Sequence, residues 1–212
     1  MLQKFHHEQI YRGPDFATKL AARHITVCGA GAIGSNIIEG LCRQGVSRLR
    51  VIDKDRVESH NLSTQVYEEN DVGQLKEAAI GDKMFRAVGL DIEGHHRELT
   101  ASNSKQLLKG TDLVIDAFDN SASRLILRNY CINRIPCLHA GVADGYGECA
   151  WNDVYRVPED THADVCDYPL ARNLVILISA IACEEIMDFL LASQPRGRSW
   201  SVTLKDLKIS PY

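Results

Sequence analysis

The feature that most constrains this chain is a glycine-rich turn set between an apolar strand and an apolar helix. His24 to Cys28 (HITVC) is short and rich in β-branched residues, and it runs straight into Gly29-Ala30-Gly31-Ala32-Ile33-Gly34, a G-x-G-x-x-G. Beyond it, Ile33, Ile37, Ile38 and Leu41 recur at the spacing of one helical face to about Arg43, and Gly45 suits the helix exit. In such a turn the first glycine permits the change of direction and the second lets a phosphate approach the backbone. The third allows close helix–strand packing, and the helix N-terminus favours negative charge. Gly29, Gly31 and Gly34 are therefore candidate ligand-contacting positions. The motif alone serves NAD, FAD and ATP proteins alike. Asp53 stands 19 residues after Gly34, at the end of a second strand from Leu49 to Ile52, where a carboxylate can accept ribose hydroxyls.

The remaining chain alternates in the same way. Gly73 to Val88 reads as a helix, with a further strand near Ile92. Asp112 to Asp116 (DLVID) reads as a strand after the turn signal Lys109-Gly110-Thr111. Ser121 to Asn133 is a helix and Pro136 to Ala140 a short strand; Gly141 to Gly147 is turn-rich, and Glu148 to Val157 extended. A polar loop to Pro169 precedes a long helix at Asn173, and Trp200 to Leu207 alternates like a strand. The pattern predicts an α/β fold: a Rossmann-like, twisted, mostly parallel sheet with helices on both faces, with additional C-terminal strands open to antiparallel pairing. Such sheets bind ligands at the carboxyl ends of their strands.

The chain has 212 residues, 45% hydrophobic and 25% charged, with a formal net charge of -4. That is the composition of a globular protein with no overall attraction for nucleic acid or an anionic membrane surface. Seven scattered cysteines form no C-x-x-C pair, which points to a reducing, cytoplasmic setting and away from structural zinc. Cys28, Cys42 and Cys183 read as core fillers. The first residues, MLQKFHHEQIYRGPDF, lack the apolar core of a signal peptide. The apolar run after Asn173 is interrupted by Glu184, Glu185 and Asp188, so it reads as a buried helix rather than a membrane span. The pairs His6-His7 and His95-His96 read as surface residues rather than metal ligands, because neighbours on a strand point to opposite faces and converge poorly on one ion.

Three further segments narrow the choice of ligand. Residues 51–65 read VIDKDRVESHNLSTQ, Asp71 to Lys76 reads DVGQLK, and Asp116-Ala-Phe-Asp119-Asn120 is followed by Arg124. Together these resemble the D-x-D-x-V-E-x-S-N-L-x-R-Q, V-G-x-x-K and D-x-x-D-N-x-x-x-R motifs of the ubiquitin-activating-enzyme-like superfamily, the ThiF/MoeB/HesA group. The resemblance covers roughly residues 5 to 190. It implies a single ATP-binding adenylation domain spanning residues 1–212, with an N-terminal arm over about residues 1–20. It also implies adenylation of the C-terminal glycine of a small ubiquitin-like or sulfur-carrier protein ending in Gly-Gly.

Residue by residue, the resemblance implies that Asp53 holds the ribose with Asp55 close by. Asn61 and Gln65 belong to the ATP-contacting segment, Lys76 neutralises phosphate charge, and Asp119 holds magnesium. Cys166 has roughly the placement of an acyl-accepting cysteine in some relatives, although Asp164 and Asp167 flank it and oppose thiolate formation. The resemblance further implies a homodimer whose N-terminal segments reach across to the partner site.

The chain departs from the family pattern twice. Thr64 stands where the second motif has arginine, and Glu8 stands where an N-terminal R-Y-x-R-Q segment has another. An arginine on phosphate is worth about 1.5–3 kcal/mol in binding and about 10³–10⁵ in rate where it acts as a finger. Arg12, His60 and Arg124 are candidate replacements. Two other functions stay open: a non-catalytic nucleotide-binding adaptor or heterodimer subunit, favoured by Thr64 and Glu8, and an NAD-dependent oxidoreductase, favoured only by the glycine turn and Asp53.

Overall fold

The computed structural model describes residues 3–158, 169–192 and 197–212. Its strands are β1 (Ile25–Cys28), β2 (Leu49–Asp53), β3 (Glu93–His96), β4 (Leu113–Asp116), β5 (Cys137–Ala143), β6 (Tyr146–Trp151), β7 (Trp200–Thr203) and β8 (Lys208–Pro211). The helices are α1 (His6–Arg12), α2 (Phe16–Ala21), α3 (Ala32–Arg43), α4 (Lys76–Val88), α5 (Ser104–Leu107), α6 (Ser121–Cys131) and α7 (Arg172–Ala192).

All eight strands form one sheet in the order β3-β2-β1-β4-β5-β6-β7-β8. From β3 to β5 neighbouring strands run parallel, and from β5 to β8 they run antiparallel. The expected mostly parallel, doubly covered sheet with antiparallel C-terminal strands is what the chain forms. Strand alternation divides the apolar residues between two cores. Val27, Val51, Ile115 and Leu138 face α2, α3, α4 and α7, whereas Cys28, Ile52, Val114 and Cys137 face α5 and α6. A parallel strand covered on both faces is buried at every position, as β1 and β4 are, so Thr26 and Asp116 on them need hydrogen-bond partners inside the fold.

Helix α7 is the packing centre of the larger core. Leu174, Val175, Ile178, Ala182, Ile186 and Leu190 are buried along it, between α3 and strands β5 to β7. No helix among the described residues is long and apolar enough to cross a membrane. The arm folds onto the same helix through buried Phe16 and Leu20 of α2.

Several sequence expectations are corrected here. Gly141 to Gly147, expected to be turn-rich, holds a single turn: β5 and β6 pair from Leu138↔Trp151 to Ala143↔Tyr146, leaving Asp144-Gly145 between the strands. Asp144, the first central residue of this two-residue turn, takes φ 51, a conformation that Asp tolerates better than most residues. Residues Trp200 to Leu207 form one strand and a turn, and an uncalled partner strand, β8, follows. The helix expected from Gly73 begins at Lys76, because the Gly73 N–H donates to the Val57 carbonyl and the Val57 N–H to the Gln74 carbonyl, which holds residues 73–74 in a bridge instead.

Candidate functional site

Strand order reverses between β1 and β4, the switch point outside whose carboxyl ends sheets of this kind bind their ligands. Cys28 and Asp116 are register partners there, and the loops that follow carry the glycine turn and Asp119. Gly29 sits at φ +95, and a Cβ on it would lie 2.8 Å from the carbonyl oxygen of Ala117. A Cβ on Gly34 would lie 1.9 Å from the Gly29 carbonyl oxygen, which is why the third position tolerates no side chain. Gly31 differs: a Cβ there meets nothing within 4 Å. It is the N-cap residue of α3, and no side chain caps that helix. The N-terminal turn of α3 therefore presents its N–H groups and positive dipole end to open space.

Asp53 fastens this turn. Its Oδ2 accepts the Ala30 N–H at 2.6 Å and its Oδ1 accepts the Asp55 N–H at 2.7 Å. Burial lifts its carboxyl above the usual range, against those two bonds and the nearby Lys76 charge. From the other side, the Tyr67 hydroxyl donates to the Ala30 carbonyl at 2.8 Å. Ala30 is thus held at both its backbone groups, and the turn is preorganised.

Lys76 opens α4 and is largely buried, with Nζ 3.6 Å from Asp55 Oδ2. The contact exists because 55–57 and 73–76 are bridged by Gly73 N–H to Val57, Val57 N–H to Gln74 and Lys76 N–H to Asp55. The intervening segment folds back against α3. Glu58 and Asn61 form a capping box, in which Asn61 Oδ1 accepts the Glu58 N–H at 2.9 Å. Asn36 Nδ2 donates to the Thr64 carbonyl at 3.0 Å. Gln65 is 9% exposed, and its Oε1 is buried with no hydrogen-bond partner among the described residues. A buried amide oxygen left unpaired is unusual enough to mark a place where a ligand or water completes the structure.

Asp119 is exposed on the loop after β4, and its field, with that of Asp55, raises the Lys54 ammonium above its usual range, behind the larger effect of the Glu98 hydrogen bond. It does not cap α6: Asn120 does, accepting the Ser123 N–H at 2.9 Å. Three residues earlier lies a buried polar network that sequence reading missed. His139 of β5 places Nδ1 2.7 Å from Asp116 Oδ2 and Nε2 2.7 Å from Asn152 Oδ1, and its ring stacks on Tyr155 at 3.8 Å. Burial opposes the Asp116 charge, but Arg124 and His139 outweigh it and hold the carboxyl below its usual range. His139 stands in an apolar run, and nothing in that run signals a polar partner across the sheet.

The ThiF family profile matches residues 6–208. The chain belongs to the ThiF family. It is 33% identical over 140 residues to the sulfur carrier protein ThiS adenylyltransferase of Bacillus subtilis (strain 168), covering 64% of this chain and 42% of that protein. It is also 33% identical over 136 residues to a sulfur carrier protein adenylyltransferase of Thermus thermophilus, covering 62% of this chain and 50% of that one. The aligned part of this chain spans about half the length of these relatives or less. Among solved structures, that of E. coli MccB with ATP superposes at a TM-score of 0.84 with 16% identity, covering 99% of this chain and 71% of that chain, a likeness of fold.

Within this ThiF-family chain, the arginine replacements foreseen from sequence are already engaged. Arg12 donates to Glu8 at 2.7 Å and to both carboxylate oxygens of Glu184 on α7, at 3.0 and 2.8 Å. Arg124 is buried, donating to the Tyr155 hydroxyl and the Ala140 carbonyl, both at 2.9 Å. His60 lies 3.4 Å from Glu58 on the surface. The arm therefore packs on the α7 of its own chain. Cys28, Cys42 and Cys183 are buried as core fillers, and burial lifts the Cys42 and Cys183 thiols to about 12. His95 pairs with Glu93 at 2.8 Å, and His96 lies 3.9 Å from Glu77. Cys166 lies outside the described residues.

Proposed function

We propose that this chain is an ATP-dependent adenylyltransferase that activates the C-terminal glycine of a small ubiquitin-like or sulfur-carrier protein ending in Gly-Gly. The observation that carries the reading is the uncapped N-terminus of α3 at Gly31, open where a side chain would stand and braced by Asp53 and Tyr67. That cradle fits a phosphate group, and Gln65 Oε1 lacks a partner in the adjoining segment. The B. subtilis and T. thermophilus relatives, by their names, support the choice of carrier.

In the reaction, a carboxylate oxygen of the carrier attacks the α-phosphorus of ATP. The bond from that phosphorus to the bridging oxygen breaks, and pyrophosphate leaves with its electron pair. Little covalent chemistry falls to the protein; its part is positioning and charge neutralisation. Asp53 and Asp55 lie where the ribose is received, Asn61 and Gln65 line the nucleotide segment, and Lys76 neutralises phosphate charge. Asp119, exposed and uncommitted to capping, would hold magnesium, which shields the phosphate oxygens when bound. A homodimer and a cytoplasmic setting belong to the same proposal.

Pyrophosphate exchange tests it. Mixed with Mg-ATP, labelled pyrophosphate and candidate carriers ending in Gly-Gly, the protein should incorporate label into ATP only with its own carrier. Absence of exchange with every encoded carrier would overturn catalysis. Tight Mg-ATP binding without exchange, with activity appearing on addition of a second family member, would establish the adaptor reading that Thr64 and Glu8 favour. Calorimetry with NAD in place of Mg-ATP separates the oxidoreductase reading.

A further inference from the structure

The proposed phosphate cradle is short of positive charge. The end of α3 contributes only about half an elementary charge, and Lys76 already faces Asp55 at 3.6 Å. Arg12 and Arg124 are bound elsewhere, Lys54 pairs with Glu98 at 2.7 Å, and Arg56 donates to the Gly73 carbonyl at 2.7 Å. A triphosphate placed here would need a further cation.

The pairing of α3 with α7 brings one. Ser179 Oγ donates to the Ile33 carbonyl at 3.4 Å, and Cys183 Sγ to the Ile37 carbonyl at 3.7 Å. Both contacts advance by four residues on each helix, so the two helices run side by side in the same direction. Arg172, the first residue of α7, lies seven residues before Ser179, whereas α3 begins one residue before Ile33. At 1.5 Å per residue, Arg172 stands about 9 Å beyond the start of α3, on the side toward which the N–H groups of α3 point.

Its side chain turns toward the same place. Arg172 Nη1 donates to the Ser63 carbonyl at 3.3 Å. The next residue, Thr64, has its carbonyl held by Asn36 in the first turns of α3. Arg172 is exposed, and the rest of its guanidinium has no partner among the described residues. A guanidinium anchored by one nitrogen, with its remaining donors free beside an uncapped helix end, is arranged to grip phosphate.

We propose that Arg172 is a second phosphate-binding cation of this site beside Lys76, reaching the phosphates of ATP from α7 and supplying the charge that Thr64 lacks. The inference rests on the nucleotide reading above. It also explains how a chain with Thr64 keeps a cationic rim: the charge comes from another helix to the same edge of the cradle.

The test is calorimetry with Mg-ATP and with adenosine on the full chain, for wild type, Arg172→Ala, Arg172→Lys and the pair Arg172→Ala with Thr64→Arg. Arg172→Ala should weaken Mg-ATP binding about 10–100-fold, the scale of a charged hydrogen bond, with adenosine binding and the nucleotide-free melting temperature unchanged. Arg172→Lys should fall between, because an ammonium restores charge without the fork. Adding Thr64→Arg should restore Mg-ATP binding in the alanine background, which a merely structural Arg172 would not permit. Arg172→Ala binding Mg-ATP as wild type does, or losing adenosine and Mg-ATP in parallel, would overturn the assignment while leaving the nucleotide reading standing. A wild-type protein that binds neither ligand would overturn both.

Discussion

Asp53 holds Ala30: a carboxylate at the tip of β2 accepts the backbone N–H of the glycine turn at 2.6 Å, from 23 residues away in sequence. The residue that resemblance assigns to the ribose is thus also the brace of the phosphate turn. Asp53→Ala should leave the buried Ala30 N–H unpaired, at about 1–3 kcal/mol for the group left unsatisfied, and should release the part-buried Asp55 N–H to water at lower cost. Asp53→Asn keeps acceptor oxygen for one of them and should cost less. Urea unfolding of the two variants checks the order, and an Asp53→Ala protein as stable as wild type would refute the brace.

The three glycines should separate cleanly by substitution to alanine. Gly34→Ala forces a Cβ to within 1.9 Å of the Gly29 carbonyl oxygen, a backbone contact with nowhere to move. It should abolish the compact fold or lower its melting temperature severely. Gly31→Ala meets nothing within 4 Å, so the nucleotide-free protein should stay folded and lose about 1 kcal/mol, the cost of alanine at an N-cap position. The same methyl protrudes into the cradle, so Mg-ATP affinity should drop by at least about tenfold, through lost approach of phosphate to the N–H groups. Thermal melts with and without Mg-ATP read both effects.

Asp116 links stability to pH. Its carboxyl titrates lower in the folded chain than in the unfolded one, so the unfolded state binds more protons in the acid range. The stabilisation is therefore complete above the ordinary carboxylate value of about 4 and is lost as pH falls through the lower folded value. Asp53, shifted upward, opposes this with the reverse sign. Asp116→Asn should cost about 3–5 kcal/mol at neutral pH, because Arg124 would be left as a buried charge without its counterion. Its stability should also decline less steeply below pH 4 than that of wild type. Parallel acid limbs for the two proteins would refute the linkage.

The buried thiols offer a check on packing. Cys28, Cys42, Cys131, Cys137, Cys149 and Cys183 are all free and buried, and burial raises Cys42 and Cys183 to about 12. In a Cys166→Ser protein, the remaining six should react with a thiol reagent only as fast as the fold opens, and all six promptly in denaturant. Prompt labelling under native conditions would contradict the packing.

Much of the parallel half was legible because its signals are local. Alternation and apolar runs marked β1, β2 and β4, the helical spacing after Ile33 marked α3, and Gly29 to Gly34 told of a turn no larger residue could make. The antiparallel end was less so. Strand β8 (KISP) carries little apolar character, and β5 continues through Gly141, where composition suggests a turn; both exist because a neighbouring strand supplies hydrogen-bond partners. The candidate site residues came from motif order and resemblance, while their partners came from contacts made across the fold.

The sequence by itself determined that a phosphate-sized turn would sit between a strand and a helix, and that carboxylates would follow the neighbouring strands, because glycine conformation and apolar periodicity act over a few residues. Only the tertiary structure decided which charges are free to act. It tied Arg12 to Glu184, buried Arg124 against Asp116 and set Arg172 beside Ser63, pairings that span up to 172 residues of chain. Such long-range pairing is set by how α7 packs on α3 and the sheet, and no local pattern encodes it.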